Sequence, residues 1–419
     1  MDMPQNEGRM ILVLNCGSSS LKYEVFKMPH RQSLGRGLIE RIGEVKGRLT
    51  QTSERGKIEI GDVIPNHQAA MELMAKALVD SQSGILKSIK EIVGIGNRVV
   101  HGGEKYAASV VIDDDVIATV EKCAELAPLH NPPNLMGIRA AYELLPEVKQ
   151  VAVFDTAFHQ TMPPAAYMYG LPYEVYEKYR VRRYGFHGTS HRFVAARACA
   201  IMKRAPENTN LITCHLGNGA SVTAIANGKS IDTSMGFTPL EGVLMGTRCG
   251  DIDPAILPYL EERGFSPKEL NSMMNKKSGL LGLSGISNDL RDLEVAAEKG
   301  NKRAQMALDV YAYKIRRYVG AYSANLVKND ILVFTGGIGQ NGVKMRERIC
   351  HRLENIGIMM DYSLNRVLGS KEGVVSKSYS PVAILVVPTN EELQIAIDTF
   401  DLLFHEKAEF RRRASDVNL

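Results

Sequence analysis

The sequence lacks long apolar runs, and its N-terminus does not have the pattern of a secretory signal. No stretch approaches the roughly 18 consecutive apolar residues that span a bilayer. The N-terminal residues Met1–Arg9 are polar and acidic, and the apolar run after them is only as long as a strand. We therefore expect a protein that is not embedded in a membrane and that resides in the cytoplasm.

Paired cysteines and an excess of one charge are also absent. The six cysteines lie far apart with no C-x-x-C spacing, which argues against a disulfide framework and against a zinc site. The net charge is only +4 over 419 residues. Since the basic residues are dispersed, nucleic-acid binding has little support. One basic run, Arg411–Arg413, lies in a polar tail and is given no function.

Short β-rich runs alternate with amphipathic helical patterns along the whole chain, which indicates an α/β fold. The length suits two domains, and two domains create a cleft. We predict an N-terminal domain over residues 1–155, joined by a C-terminal helix at 392–404. A second domain covers 156–391, and a polar tail covers 405–419.

A strand-turn-strand pattern occurs twice, at Ile11–Val25 and at Leu211–Ile225. In each copy an apolar run ends in a polar residue, Asn15 or His215, before a turn of Gly, Ser or Asn and a second strand. Such turns expose backbone N–H groups that suit phosphate oxygens, although ordinary hairpins use the same residues. The repetition, together with Lys22 just after the first turn, favours a duplicated nucleotide-binding core.

Two further hairpin signals accompany these repeats. The dipeptide Asn227–Gly228 predicts a two-residue turn, and Arg36–Gly37 is interpreted as a turn of the first meander.

The segment Gly337–Gly342 matches the dinucleotide-binding fingerprint. It follows an apolar run at Ile331–Phe334 and precedes a helical pattern at Val343–Asn355, with Asp361 where an acidic ribose ligand would stand. Three interpretations stay open: a nicotinamide-binding Rossmann motif, a turn against which adenosine lies, or a plain helix entry. The Rossmann interpretation leaves few residues after the motif and does not explain the two hairpins.

His187 and His191 have i,i+4 spacing, but no Glu follows His187 and no third ligand is near, so zinc is not expected. Thr189 or Ser190 is predicted to cap a helix that starts there, which places His187 at an anion-attracting helix N-terminus.

Arg98 and Arg248 lie among Gly and apolar residues. A partly desolvated guanidinium needs an anion, from a ligand or from a carboxylate such as that of Asp155.

Taken together, these motifs resemble the acetokinase family, the acetate and short-chain carboxylate kinases of the actin-like ATPase superfamily. The resemblance extends from about Ile11 to Asp398. It depends on ordered strings that begin at the following positions: Asn15, Arg98, Phe154, Tyr184, His215, Met245, Phe334 and Pro388.

The resemblance implies two duplicated actin-like, ribonuclease H-like α/β domains with a nucleotide cleft between them. It also implies ATP and a small carboxylate as substrates, Mg²⁺ or Mn²⁺ as the metal, and a homodimer. By resemblance, metal binding is assigned to Asn15 and Glu391, the reacting phosphoryl to Arg98, Asp155, His187 and Arg248, and the acyl pocket to Arg98, Val100, Leu129 and Pro239. Nucleotide binding is assigned to Ser18, Ser20, Lys22, His215, Leu216, Gly217, Asn218, Gly219, Asp289, Leu290, Arg291, Gly337, Ile338, Gly339, Gln340 and Asn341.

The implied reaction is transfer of the ATP γ-phosphoryl to acetate. Because a carboxylic acid with a pKa near about 4 to 5 is already ionised, its attack needs no general base, and the barrier is electrostatic. Propionate or butyrate kinase activity is the alternative within the family. A nicotinamide-dependent dehydrogenase and a non-catalytic actin-like module are the alternatives outside it.

Overall fold

The computed structural model describes residues 8–128 and 130–405, which form two compact units. Among the described residues, unit 1 comprises residues 8–158 and 390–405, and unit 2 comprises residues 159–389. Leu129 and the basic run at 411–413 lie outside the described residues.

Unit 1 is built on one eight-stranded sheet with the strand order β5-β4-β3-β2-β1-β6-β8-β7. Its strands are β1 Arg9–Cys16, β2 Ser20–Met28, β3 Gln32–Glu40, β4 Gly47–Ser53, β5 Gly56–Asp62, β6 Ile92–Val99, β7 Val110–Val111 and β8 Gln150–Phe154. Its first helices are α1 His67–Leu78, α2 Asp114–Lys122 and α3 Asn131–Leu144.

Unit 2 is built on a six-stranded sheet with the order β11-β10-β9-β12-β14-β13. Its strands are β9 Asn210–Leu216, β10 Ala220–Ala226, β11 Lys229–Thr233, β12 Ile331–Thr335, β13 Gly373–Val374 and β14 Ala383–Val386. Its helices are α4 Pro164–Tyr167, α5 Tyr173–Tyr179, α6 Gly188–Ile201, α7 Ile256–Glu261, α8 Pro267–Lys276, α9 Gly279–Ser284, α10 Leu290–Glu298, α11 Lys302–Asn325, α12 Gly336–Asn341, α13 Val343–Cys350 and α14 Tyr362–Leu368.

The two sheets share one topology. In unit 1 an antiparallel meander, β3-β2-β1, continues into the parallel strands β6 and β8 and ends in the short antiparallel strand β7. In unit 2 the meander β11-β10-β9 continues in the same way into β12, β14 and β13. The duplication predicted from the repeated hairpins is therefore confirmed.

The last helix, α15 Glu391–Phe404, belongs to unit 1. Because successive side chains of a strand point to opposite faces, β1 can serve two cores. Ile11 and Val13 pack in one cluster with Ile395 of α15, whereas alternate residues of β1, such as Leu12, pack in another cluster that includes residues of α1. Apolar burial on both faces fixes the β1 backbone, whose carboxyl end carries Asn15.

The hairpin prediction at Asn227–Gly228 is confirmed, since both residues have positive φ (52° and 75°) between β10 and β11. The predicted turn at Arg36–Gly37 is wrong. Gly37 lies inside β3 opposite Tyr23, whose buried ring occupies the place where a Cβ would stand, 2.1 Å from Tyr23 Cζ. The glycine therefore serves side-chain packing across the strands rather than a turn.

No helix within residues 8–128 and 130–405 is long and apolar enough to cross a membrane. All six cysteines are unpaired.

We expect Gly37→Ala to lower the free energy of unfolding by about 1 to 3 kcal/mol, because the new methyl group would displace the Tyr23 ring. The Tyr23 hydroxyl donates to Gln51 at 2.7 Å, so movement of the ring also disturbs a buried hydrogen bond. Gly61→Ala in β5 is the matched control, because nothing lies within 4 Å of its added Cβ. Urea titration followed by circular dichroism measures both, and equal stability of the two variants would contradict this account.

Candidate functional site

A charged cluster lies at the carboxyl ends of neighbouring strands in unit 1. Arg98 in β6 donates from Nη2 and Nε to Asp155 Oδ2, at 2.6 and 3.1 Å, and from Nη1 to Asn15 Oδ1 at 3.2 Å. Asp155 follows β8 and is only 1% exposed, whereas the Arg98 side chain retains 25% exposure. The parallel strands β1, β6 and β8 thus bring together three residues that are far apart in sequence.

Glu391 begins α15, whose N-cap residue Asn390 accepts from the backbone N–H of Leu393. Burial raises the pKa of Glu391 to about 7, and the negative charge of Asp155 adds to this effect against the opposing charge of Arg98. Burial alone would lower the pKa of Arg98, but Asp155 and Glu391 outweigh burial and raise it. The cluster therefore combines carboxylates and an amide oxygen around one guanidinium.

The predicted phosphate turn of unit 1 is a tight connection between β1 and β2, in which Gly17 N–H donates to the carbonyl of Ser20 at 2.8 Å. Ser18 and Lys22 are exposed and Ser20 is half-buried. Lys22 is directly opposite Asn15 in the β1–β2 ladder, so the two side chains leave the same face of the sheet. Val100, predicted for the acyl pocket, is buried just after β6, and Leu129 lies outside the described residues.

In unit 2, a polar layer lies where α6 meets the sheet. His187 occupies the N-cap of α6 in the left-handed region (φ 58°), and its ring stacks on that of His215 with centroids 4.2 Å apart. Gly219 stands beside the pair, since a Cβ added there would meet His187 Cε1 at 3.4 Å. The β9–β10 turn therefore lies within van der Waals distance of the His187 ring.

Buried hydroxyl groups connect these imidazoles. Ser221 Oγ lies 2.9 Å from His187 Nδ1 and 2.7 Å from His191 Nε2, and Thr213 Oγ1 lies 2.7 Å from His191 Nδ1. Ser190 Oγ lies 2.7 Å from His215 Nδ1 and 2.7 Å from Thr389 Oγ1. The prediction that Thr189 or Ser190 caps α6 is wrong, because the helix begins at Gly188 with no side-chain cap.

Sequence reasoning missed the hydrogen bonds that Ser190, His191, Thr213 and Ser221 form in this layer. His191 carried a signal in its i,i+4 spacing to His187, but that spacing was weighed only for zinc. The strand register explains why the side chains meet. His215 and Ser221 are directly opposite in the β9–β10 ladder, so both side chains lie on the face toward α6.

Arg248 is half-buried and forms no ion pair with a residue of 8–128 or 130–405. Its Nη1 donates to the Pro239 carbonyl at 3.2 Å and lies 3.9 Å from Met245 Sδ. Burial lowers the pKa of Arg248. Among the described residues this guanidinium has no compensating anion, in contrast to Arg98.

The remaining predicted nucleotide residues form two groups in unit 2. In the first, Asn288 Nδ2 donates to Asn218 Oδ1 at 3.0 Å, which ties the β9–β10 turn to the segment before α10. Asp289 caps α10 and pairs with the exposed Arg291, whereas Leu290 is buried. Gly217 N–H donates to the Gly219 carbonyl at 2.9 Å, and Leu216 is buried at the end of β9.

The second group is the glycine-rich segment, which forms the short helix α12 directly after β12. The sharp turn depends on Gly336 (φ 74°), where a Cβ would lie 2.6 Å from the Leu216 carbonyl oxygen. Gly337 has nothing within 4 Å of an added Cβ, so backbone is accessible there. Asn341 donates to the Gly337 carbonyl and Gln340 to the Ser370 carbonyl. Ile338 and Gly339, also predicted for the nucleotide, lie in the middle of α12.

The helix predicted over Val343–Asn355 begins at Val343 as expected but ends at Cys350, and the glycine-rich segment before it forms the separate helix α12. The Rossmann interpretation is wrong. The sheet of unit 2 is mixed, whereas a Rossmann sheet is parallel. Asp361 caps α14 by accepting from the backbone N–H of Leu364 at 2.9 Å. The Asp361 carboxylate thus serves as a helix cap in this structure.

Arg346 supports this segment and was missed by sequence reasoning. It is fully buried, and its guanidinium donates to the carbonyls of Gly339, Gln340 and Gly369. Burial lowers the pKa of Arg346 to about 10. The carbonyl groups at the end of α12 are therefore satisfied by a side chain seven residues beyond Gly339.

Comparison with known proteins decides the family. The model of the Acetokinase family matches residues 10–397. The chain belongs to this family. Acetate kinase of Alkaliphilus metalliredigens is 54% identical over 395 residues, covering 94% of this chain and 100% of that protein.

Solved structures agree with the family assignment. Acetate kinase of Porphyromonas gingivalis matches with a TM-score of 0.91 and 49% identity, covering 94% of this chain and 100% of that one. A propionate kinase from Francisella tularensis matches with a TM-score of 0.88 and 43% identity, with the same coverage of each chain. The predicted two-domain, actin-like α/β fold of the acetokinase family is confirmed.

Buried histidines of this family member predict a pH-dependent stability. Burial lowers the pKa of His159 and His215 to about 4. Because these pKa values lie below the unfolded value of about 6.5, the unfolded chain binds more protons between pH 6.5 and 4. The stabilisation is therefore complete above about pH 6.5 and is lost as the pH falls, by about 2 kcal/mol for each histidine at pH 5.

Urea unfolding at pH 7, 6 and 5 measures this loss. His159→Gln should show a shallower fall in the free energy of unfolding than the unchanged protein, because one titrating group is gone. His351→Gln, at an exposed position, should keep the original slope. Identical slopes for all three proteins would show that His159 does not titrate on unfolding.

Proposed function

We propose that this protein is an acetate kinase, which transfers the γ-phosphoryl of ATP to acetate and gives acetyl phosphate and ADP in a reversible reaction. Family membership and the relatives named acetate kinase support the activity. Among the structural observations, Arg248 carries most weight. A half-buried guanidinium with no ion-pair partner in the described parts of the chain suits an anionic ligand.

The chemistry requires cations and donors rather than a base. Acetate is an anion at neutral pH, and it must approach a phosphoryl group that is itself negative. We assign Arg98 and Arg248 to the acetate carboxylate and the phosphoryl oxygens, and His187 to an equatorial phosphoryl oxygen. Lys22, Ser18 and Ser20 would serve the phosphate chain of the nucleotide.

The adenosine and its phosphates are assigned to unit 2. Accessible backbone at Gly337 and the turn Gly217–Gly219 offer close approach without a Cβ in the way. Asp289 to Arg291 would lie along the nucleoside, with Gln340 and Asn341 at its other side. The bonds from Arg346 to the end of α12 would hold this backbone in place.

Asn15 and Glu391 would hold Mg²⁺, or Mn²⁺ in its place. The donor set fits, because Mg²⁺ in phosphotransferases is bound by one or two carboxylates together with substrate phosphates, and oxygen is the donor atom that it prefers. The pKa of Glu391, raised by burial and by Asp155, indicates negative charge that a cation would stabilise. A bound Mg²⁺ supplies electrostatic stabilisation of charge on the phosphate oxygens.

Asp155 is assigned a positioning role. Its carboxylate accepts two hydrogen bonds from Arg98 and is almost fully buried, so it orients the guanidinium. Since acetate is already ionised, no step requires Asp155 to remove a proton.

Two further assignments come from family resemblance. We propose a homodimer, which agrees with the more than half-exposed apolar residues Leu171, Tyr173 and Tyr179 on and beside α5. We also propose that the enzyme works in the cytoplasm.

Trapping of the acyl phosphate with hydroxylamine tests the function. With MgATP and acetate the protein should form acetohydroxamate, and the reaction should stop when Mg²⁺ is chelated. Arg248→Ala should lower kcat/KM by about 100-fold or more, because removal of a preorganised donor has that effect. Arg352→Ala, at an exposed position, is the matched control and should keep full activity. A protein that forms no hydroxamate with acetate, propionate or butyrate would refute the proposal.

Val100 tests the choice of acid. Val100 is buried and is assigned to the acyl pocket by family resemblance, and one methylene is worth about 1 to 3 kcal/mol of discrimination. Val100→Ala should therefore raise the propionate-to-acetate ratio of kcat/KM by about 10-fold or more. Val111→Ala, at a partly exposed position on β7, is the control and should leave the ratio unchanged. An unchanged ratio in Val100→Ala would remove Val100 from the pocket.

A further inference from the structure

Ser221 lies between two imidazole rings and is fully buried. Its Oγ is 2.9 Å from His187 Nδ1 and 2.7 Å from His191 Nε2. A hydroxyl group has a single proton, so it can donate to one of these nitrogens and must accept from the other. Two arrangements are possible, and they place the proton of His187 on opposite ring nitrogens.

Thr213 distinguishes the two arrangements. It is fully buried in β9, and His191 Nδ1, at 2.7 Å, is the only hydrogen-bond partner of its hydroxyl within residues 8–128 and 130–405. If Thr213 accepted from Nδ1–H, its own proton would be left without an acceptor, which is costly for a buried donor. Thr213 therefore donates to Nδ1 of His191.

The bond from Thr213 determines which nitrogen of His191 carries the proton. Burial holds the pKa of His191 well below its usual value, and the rings of His159 and His215, with centroids at 5.7 and 6.2 Å, lower it further. A neutral imidazole carries one proton. Since Nδ1 accepts from Thr213, the proton of His191 is on Nε2, which donates to Ser221.

We propose that Thr213 and Ser221 act through His191 as positioning residues that hold His187 with its proton on Nε2. Ser221 accepts from His191 and so donates to His187 Nδ1, which leaves Nε2–H as the donor of the ring. The significance of this donor depends on the proposed function, in which His187 binds a phosphoryl oxygen. An acceptor nitrogen at that position would repel the oxygen.

The same bonds orient the ring. His187 is in the left-handed region at the N-cap of α6, and stacking on His215 restricts the plane of its imidazole. A bond to Nδ1 fixes which edge faces Ser221. Backbone, stacking and hydrogen bond thus define both the orientation and the tautomer of His187 before any ligand binds.

Nitrogen NMR of the full-length protein labelled with ¹⁵N-histidine reads the tautomer directly. His187→Gln identifies the signals of that ring. At pH 7 the unchanged protein should show a proton on Nε2 of His187 and an unprotonated Nδ1. The opposite tautomer, or protons on both nitrogens, would overturn the proposal, whether or not the protein makes acetyl phosphate.

A matched pair of variants tests the origin of the tautomer. Thr213→Val removes the hydroxyl at nearly constant shape, so His191 loses its donor and His187 should show a mixture of tautomers. Thr213→Ser keeps the hydroxyl and should retain the signals of the unchanged protein. Unaltered His187 signals in Thr213→Val would contradict the assigned role of Thr213.

Kinetics adds a readout that a purely structural role would not produce. Thr213→Val should lower kcat by at least about threefold and change KM for ATP by less than about twofold, because the lost interaction belongs to the transition state. Thr213→Ser should restore kcat. A defect shared by both variants, or one confined to KM, would show that the hydroxyl does not act through His187. If hydroxamate assays fail for the unchanged protein, NMR still decides the tautomer.

Discussion

The approach of two anions is the physical constraint on the proposed phosphoryl transfer. A carboxylate and a polyphosphate repel each other, and no proton transfer relieves that repulsion at neutral pH. The two arginines assigned to these anions lie in contrasting environments. Arg98 is held by the buried Asp155, whereas Arg248 has a carbonyl and a thioether as its neighbours. One guanidinium is oriented by the protein, and the other retains its capacity for an anion.

The two units differ in the partners that they give to buried polar groups. Unit 1 places buried carboxyl groups beside one guanidinium. Asp155 and Glu391 raise the pKa of Arg98, whereas burial raises the pKa of Glu391 against the opposing charge of Arg98. Unit 2 buries neutral imidazoles and pairs them with hydroxyl groups, and burial lowers their pKa values. A neutral layer can donate hydrogen bonds without attracting its own counterion. Duplicated backbones thus carry different electrostatics.

The equivalent hairpins, the alternating α/β pattern and the pairing of Arg98 with Asp155 followed from sequence, because each depends on local spacing or on a scarce buried charge. Gly37 was misassigned because its reason is the ring of Tyr23 on a neighbouring strand. The fingerprint at Gly337–Gly342 was ambiguous in sequence because glycines permit several backbone paths, and the antiparallel pairing of β9 with β10 excludes the Rossmann path. The roles assigned to individual site residues stay predictions.

The sequence by itself determined the family, the duplicated topology and the types of residue available for phosphoryl transfer, since motifs and periodicity are properties of neighbours along the chain. Tertiary structure alone decided which polar side chains meet. Thr213 and His191 are 22 residues apart, and Ser221 reaches His187 only because the register of β9 with β10 and the packing of α6 bring their side chains to one face. Hydrogen bonds act over about 3 Å, a distance that separation in sequence does not specify.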